Sequence, residues 1–152
     1  MADQVSQRMV VNASPEVCLD VVTDFDAYLN WAPDLKEVKV LGRDDQGRAA
    51  SVQFRAAGIG RSNHYTLDYD YSKAPNEVSW IQSSGDLTTR LDGAYAFEPT
   101  GEGTTEVTYK LLVELRIPLP AFVKRRAESK IISTALRSLK ARAESKAKAG
   151  SS

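Results

Sequence analysis

The chain has 152 residues with twenty basic and twenty acidic side chains, enough for one domain that buries roughly 70% of its unfolded surface. The cancelled charge supplies no global pull toward nucleic acid, and a single cysteine, Cys18, excludes disulfides and thiolate metal clusters. The polar start Met1-Ala2-Asp3-Gln4 lacks the apolar core of a secretory signal, and no apolar run approaches the ~20 residues of a membrane span, so a cytoplasmic setting is expected.

Val5 to Asn12 reads as a first strand. Ser14-Pro15-Glu16 then has the form of a helix start, with serine as N-cap, proline pre-set at the first position and an acid at the positive dipole end. Val17, Cys18, Val21 and Val22 continue at helical spacing as one buried stripe. Asp24 interrupts and is expected to cap a second short helix, Phe25 to Asn30, before Trp31-Ala32-Pro33. Two short helices after one strand cannot cover a sheet, and they read as a crossover.

Beyond Pro33 the hydrophobic period becomes two. Val38 and Val40, then Val52 and Phe54, alternate with polar residues across the turn Asp44-Asp45-Gln46-Gly47. Ala57-Gly58-Ile59-Gly60 turns again. Tyr65, Leu67, Tyr69 and Tyr71 alternate with His64, Thr66, Asp68 and Asp70 as a half-buried strand. Ser72 to Asn76 turns into Val78 and Trp80. Leu87, Leu91, Gly93, Tyr95 and Phe97 mark the next strand, Pro99 to Gly103 a hairpin loop, and Val107, Tyr109, Leu111, Val113 and Leu115 the last strand. Short turns imply antiparallel, sequential pairing.

Pro118 and Pro120 end the sheet. From Ala121 to about Ala147 neither proline nor glycine occurs, so a long helix is predicted. Ala121, Ile132, Ala135, Leu136, Leu139 and Ala143 share one face, and fraying is expected after Glu144. The fold class is α+β: a curved antiparallel sheet of six to seven strands around a long C-terminal helix, with residues 1–148 as a single domain and 149–152 as a disordered tail. Charge is uneven along it. Met1 to Leu115 carries ten basic against eighteen acidic residues, and Arg116 to Ser152 ten against two. Two readings stay open: a solvated helix face complementing an acidic body, or a basic surface for anionic lipid or an acidic partner.

Large side chains crowd the inward positions: Phe54, Tyr65, Tyr69, Trp80, Tyr95 and Tyr109. A bent sheet stands away from a single helix at one end and leaves a concave apolar space, the default small-molecule site. The downstream helix face is apolar at Ile132, Leu136 and Leu139, whereas upstream it carries Arg125, Glu128 and Ser129. A charge on a core face is costly unless paired or wet. The upstream half is therefore expected over a hydrated cavity or its mouth; the alternative is an Arg125–Glu128 pair on an exposed helix end. The candidate ligand contacts are Phe54, Tyr65, Leu67, Tyr69, Trp80, Leu91, Tyr95 and Leu111 from the sheet. Tyr28 and Trp31 flank the entrance, with Arg125 and Ser129 above it.

Other chemistry is not supported. His64 lies out of phase with the inward tyrosines, which places it in solvent and away from general-base work. One histidine and one cysteine cannot build a usual zinc site. Gly58-Ile59-Gly60 lacks the strand–helix context of a nucleotide fingerprint, and Asp68 and Asp70 read as a solvated face. Trp31 and Trp80 lack the basic interleaving of base stacking. Cys18 falls in the buried stripe and should be inert. No cofactor, metal or nucleic-acid partner is expected.

Val10 to Val17, Asp24-Phe25-Asp26-Ala27-Tyr28-Leu29-Asn30-Trp31, Gly85-Asp86-Leu87, Leu91-Asp92-Gly93-Ala94-Tyr95, Thr105 to Tyr109, and Pro120 into a helix with Ala135-Leu136 and Leu139-Lys140 occur in one order over some 140 residues. In that order the chain resembles the START-like (SRPBCC) superfamily, its polyketide cyclase/dehydrase and coenzyme-Q-binding branch of actinobacterial type. The resemblance implies a helix-grip fold with a deep cavity between sheet and helix. Aromatase/cyclases of this superfamily use an arginine and a serine on a central strand. Here Leu67 and Tyr69 fall at those positions, Arg61 is the arginine nearby, Tyr65 keeps an aromatic, and Tyr28 matches an aromatic near the entrance.

The leading expectation is a non-catalytic binder or carrier of a lipid, quinone or polyketide-like molecule, with possible transient contact of the basic helix with a membrane surface. One alternative is an aromatase/cyclase or dehydratase in which Tyr65, Tyr95 or Arg125 polarises a carbonyl or moves a proton. Another is an interaction module, such as a ribosome-associated protein, working through Lys124, Arg125 and Arg126.

Overall fold

A computed structural model describes residues 4–57 and 62–150. In chain order the elements are β1 (Val5–Val11), α1 (Pro15–Thr23), a 3-10 helix (Phe25–Asn30), β2 (Leu35–Arg43), β3 (Ala49–Ala56), β4 (Asn63–Asp70), β5 (Glu77–Gly85), β6 (Thr88–Gly101), β7 (Thr104–Leu115) and α2 (Ala121–Gly150). The strands form one sheet in the order β1-β7-β6-β5-β4-β3-β2, antiparallel throughout. The Ala57–Gly60 turn, apart from Ala57 itself, and Arg61 lie outside the described residues.

Sequential pairing holds from β2 to β7 and fails for β1. The first strand pairs with the last, from Val5 opposite Leu111 to Val11 opposite Thr105, because β2 starts at the far edge of the sheet. The α1 and 3-10 segment carries the chain between those edges as the expected crossover. Ser14 caps α1 by accepting from the Val17 amide at 3.3 Å, and Cys18, Val21 and Val22 are buried beneath it. Asp24 occupies the cap position of the 3-10 helix but makes no side-chain capping bond. The hairpin between β6 and β7 is tighter than Pro99–Gly103 suggested. Pro99 and Gly101 stay in the ladder across a register shift, and Gly103 makes the turn at φ +74°, a conformation glycine adopts without a Cβ clash. Tyr71 falls past the end of β4, and its hydroxyl donates to the Ala49 carbonyl at 2.6 Å.

α2 packs along β1, β7 and α1. Ile132, Leu136, Leu139 and Ala143 are fully buried at the 3.6-residue period of one helix face. Ala135 is half-buried, and Ala121 is exposed, so the apolar stripe begins later than predicted. Polar bonds tie the same half to β1 and the residue that follows it: the Ser133 hydroxyl donates to Gln7 Oε1 at 3.2 Å, Lys140 Nζ to the Val10 carbonyl at 3.3 Å, and the Asn12 amide to Glu144 Oε2 at 2.9 Å. The helix continues to Gly150, beyond Glu144.

Upstream the expectation needs correction. Arg125 and Ser129 are exposed to solvent, while Glu128 turns inward at 3% exposure. The fully buried apolar positions of α2 therefore lie in its downstream half, and upstream Glu128 is the buried position.

Candidate functional site

Strand alternation directs Tyr65, Leu67 and Tyr69 to the concave face of β4, and the register sets aromatics beside them. Phe54 pairs with Tyr65, Tyr69 with Trp80, and Tyr95 with Tyr109. The rings pack at centroid separations of 5.4, 5.7 and 4.6 Å respectively, within the range of favourable offset and edge contacts. Trp80 also faces Gly93 across β5 and β6. A Cβ at Gly93 would stand 2.5 Å from the Lys110 carbonyl oxygen and 2.7 Å from Trp80 Cζ2. The missing side chain is what admits the indole there.

These rings enclose a cavity of about 160 Å³ between sheet and helix. Tyr28, Trp31, Phe54, Tyr65, Leu67, Tyr69, Trp80, Leu91 and Tyr95, all foreseen as contacts, line it together. Leu111, Arg125 and Ser129 do not. Leu111 shares a strand face with Tyr109 but is sealed in the core at 1% exposure. Arg125 and Ser129 lie in solvent.

The helix instead contributes Ile131, Thr134, Ala135 and Ser138, a flanking stripe at i, i+3, i+4 and i+7. Its signal in the sequence is size: three small residues beside the Ile132-Leu136-Leu139 stripe hold the helix surface back from the sheet. Ala32, Pro33, Asp34, Leu35, Ala56, Asn63 and Tyr109 complete the lining. Asp34 is the one charged residue among the described lining residues. Asn63 is committed to the fold, its Nδ2 donating to Thr88 Oγ1 at 3.2 Å and its Oδ1 accepting from the Leu87 amide at 2.9 Å.

The tyrosines divide into two kinds. The Tyr28 hydroxyl donates to the Val22 carbonyl, which fixes the 3-10 helix over the cavity. The hydroxyls of Tyr65, Tyr69, Tyr95 and Tyr109 make no hydrogen bond to the described residues. Burial raises the pKa of all four phenols, with neighbouring tyrosines adding for Tyr65, Tyr69 and Tyr95, and Asp34 adding for Tyr65. They are therefore neutral O–H groups at physiological pH, able both to donate and to accept. Tyr65 and Tyr69 keep accessible surface while lining the cavity.

The wall made by Trp31, Ala32, Pro33, Thr134 and Ser138 is shared with an open groove outside, which adds Leu29, Asn30, Arg137, Ala141 and Arg142. The gap between the 3-10 helix and α2 is thus the thin side of the enclosure. His64 stands away from it, exposed, with Nδ1 3.0 Å from Asp86 Oδ2. Cys18 is fully buried. Among the described residues no group of three or more His, Cys, Asp or Glu side chains could hold a metal ion, and no helix is long and apolar enough to cross a membrane.

A sheet of seven strands closed on one long helix around an aromatic cavity defines the START-like helix-grip class. The family model described as polyketide cyclase / dehydrase and lipid transport matches residues 2–144, and the chain belongs to that family. A START superfamily protein from Mycobacterium smegmatis is 25% identical, with a TM-score of 0.88 over 93% of this chain and 97% of that one. An aromatase/cyclase from Streptomyces shares the fold at 15% identity and a TM-score of 0.80, covering 95% of this chain and 94% of its own. A Thermus thermophilus protein does so at 22% identity and a TM-score of 0.76, covering 99% and 100%. No curated protein sequence matches.

Proposed function

We propose that this protein binds or carries a hydrophobic small molecule bearing a few oxygen atoms, of the lipid, quinone or polyketide-like kind. The observation that carries the reading is the pairing of an aromatic cavity with four phenol hydroxyls that lack partners among the described residues. Neutral phenol hydroxyls that face the cavity can donate to and accept from carbonyl or hydroxyl groups of a guest, each such bond contributing about 1 kcal/mol. A void of about 160 Å³ suits a ring-sized body, as an engineered cavity of ~150 Å³ holds benzene. A longer guest would extend through the thin wall at Trp31 and Ser138. Cytoplasmic location belongs to the same proposal.

The test is native mass spectrometry of the protein purified from cells, followed by thermal shift against lipids, quinones and aromatic polyketides. A bound oxygenated guest is expected. Its affinity should fall about three- to tenfold in Tyr65→Phe or Tyr95→Phe, the value of one hydrogen bond. A reproducibly empty protein with no shift against any of these compounds would refute the reading.

A cyclase or dehydratase activity is the second reading, favoured by the family description and by neutral phenols that could polarise a carbonyl. Against it, Leu67 and Tyr69 occupy the strand positions where serine and arginine are expected, and the described lining holds no basic residue. Turnover of a poly-β-ketone surrogate, lost in Tyr65→Phe, would establish it over simple binding.

A further inference from the structure

The segment joining β7 to α2 exposes an unbroken apolar run. Residues 117–123, Ile-Pro-Leu-Pro-Ala-Phe-Val, are all solvent-exposed, with Phe122 at 66% and Ile117 at 55%. Other large exposed hydrophobic residues, such as Leu41 and Ile81, are scattered singly, as on any protein surface. A contiguous exposed apolar stretch instead marks an interaction site. It is also held in place. Arg116 donates to the Gly85 and Asp86 carbonyls, each at 2.9 Å, and the Pro120 carbonyl accepts from the Val123 and Lys124 amides.

Lys124, Arg125, Arg126 and Lys130 follow directly on α2, and none joins an ion pair among the described residues. An apolar tip followed by a cationic collar matches the layering of an anionic bilayer, hydrocarbon below and phosphate above. A two-fold contact of this surface with the same surface of a second copy would set like charges face to face and be repelled. We propose that residues 117–126 form a membrane-docking surface. Ile117, Leu119, Phe122 and Val123 insert at the acyl boundary of an anionic leaflet, and Lys124, Arg125 and Arg126 sit on its phosphates. Ile131, the first cavity residue of α2, lies nine residues past Phe122, about 13 Å along the helix. Nine residues also turn the helix by about 180°, so Phe122 and Ile131 stand on opposite helix faces, and use of the surface in loading a water-insoluble guest rests on the carrier reading.

The experiment is flotation of the full chain with vesicles of phosphatidylcholine alone or with about one-third phosphatidylserine. Binding is expected only to the anionic vesicles, and it should weaken with salt. Each cation removed should cost about fivefold, so Lys124→Gln, Arg125→Gln and Arg126→Gln together should lower partitioning on the order of a hundredfold. Phe122→Ser should lower it more than tenfold. All four side chains sit at or near the surface, so melting temperatures should hold. Phe122→Trp supplies a direct readout, the emission of the introduced indole shifting to the blue on vesicle binding. Absence of binding at low salt, equal binding to both vesicle types, or unchanged emission of that indole in the bound state would each overturn the proposal. Salt-sensitive sedimentation with ribosomes in place of vesicles would overturn it too and assign the surface to an acidic macromolecule. Guest retention in these variants is expected to be unchanged, so failure here is separable from failure of the carrier reading.

Discussion

Raising the pH from about 9 to about 12 forces the buried phenols either to ionise inside an apolar enclosure or to take the fold apart. All six tyrosines of the chain are shifted upward with burial as the largest cause: Tyr71 to about 12, and Tyr28, Tyr65, Tyr69, Tyr95 and Tyr109 upward as well. An unfolded phenol titrates near pH ~10. Above that the unfolded chain binds fewer protons than the native one, so stability falls with rising pH. The contribution is fully present below pH ~10 and is lost as the pH climbs toward the native values. One unit above the unfolded pKa each buried phenol costs about 1.4 kcal/mol, and the five cavity-side tyrosines together about 7 kcal/mol. Against a net stability of ~5–15 kcal/mol, the native state should fail between about pH 11 and 12. Far-ultraviolet circular dichroism and tyrosinate absorbance, followed on one sample, should change together in a single step. A tyrosinate signal with a midpoint near 10 and intact secondary structure would refute the reasoning, because it would mean the phenols are hydrated in the native protein.

Three further outcomes test separate parts of the structure. Gly93→Ala drives a Cβ into the Lys110 carbonyl and the Trp80 ring; it should cost about 1–3 kcal/mol in denaturant unfolding and change the near-ultraviolet tryptophan signal. Leu136→Ala, at a fully buried helix position, should cost about 2–5 kcal/mol, whereas Ala135→Leu, one residue earlier and facing the cavity, should hold the melting temperature and abolish the ligand-induced shift. Cys18, fully buried and with its thiol pushed up to about 11 by burial, should resist alkylating reagents at about pH 8 and react only at the rate of unfolding.

Much of this protein is written in short-range patterns. Ser14-Pro15 starts α1 where a hydroxyl acceptor and a fixed φ are needed. The period-two run from Tyr65 to Tyr69 is a strand face because alternate residues of extended chain point the same way. The stripe Ile132-Leu136-Leu139 is buried because helical spacing collects it on one side. Each follows from backbone geometry within a few residues, so each can be read without knowing what lies opposite.

What lies opposite is a matter of tertiary packing. Periodicity cannot say that β1 joins β7, since that pairing depends on a crossover spanning the whole sheet. Nor can it say where along α2 the sheet makes contact. Arg125 and Ser129 share a face with the buried stripe yet stand in solvent, and the cavity takes the neighbouring Ile131, Ala135 and Ser138. Leu111 and Tyr109 point the same way from β7, but one is sealed beneath the helix and the other borders empty space. A repeating pattern assigns each side chain a direction; only the curvature of the sheet and the seat of the helix decide whether that direction ends in packed atoms, in water or in a void.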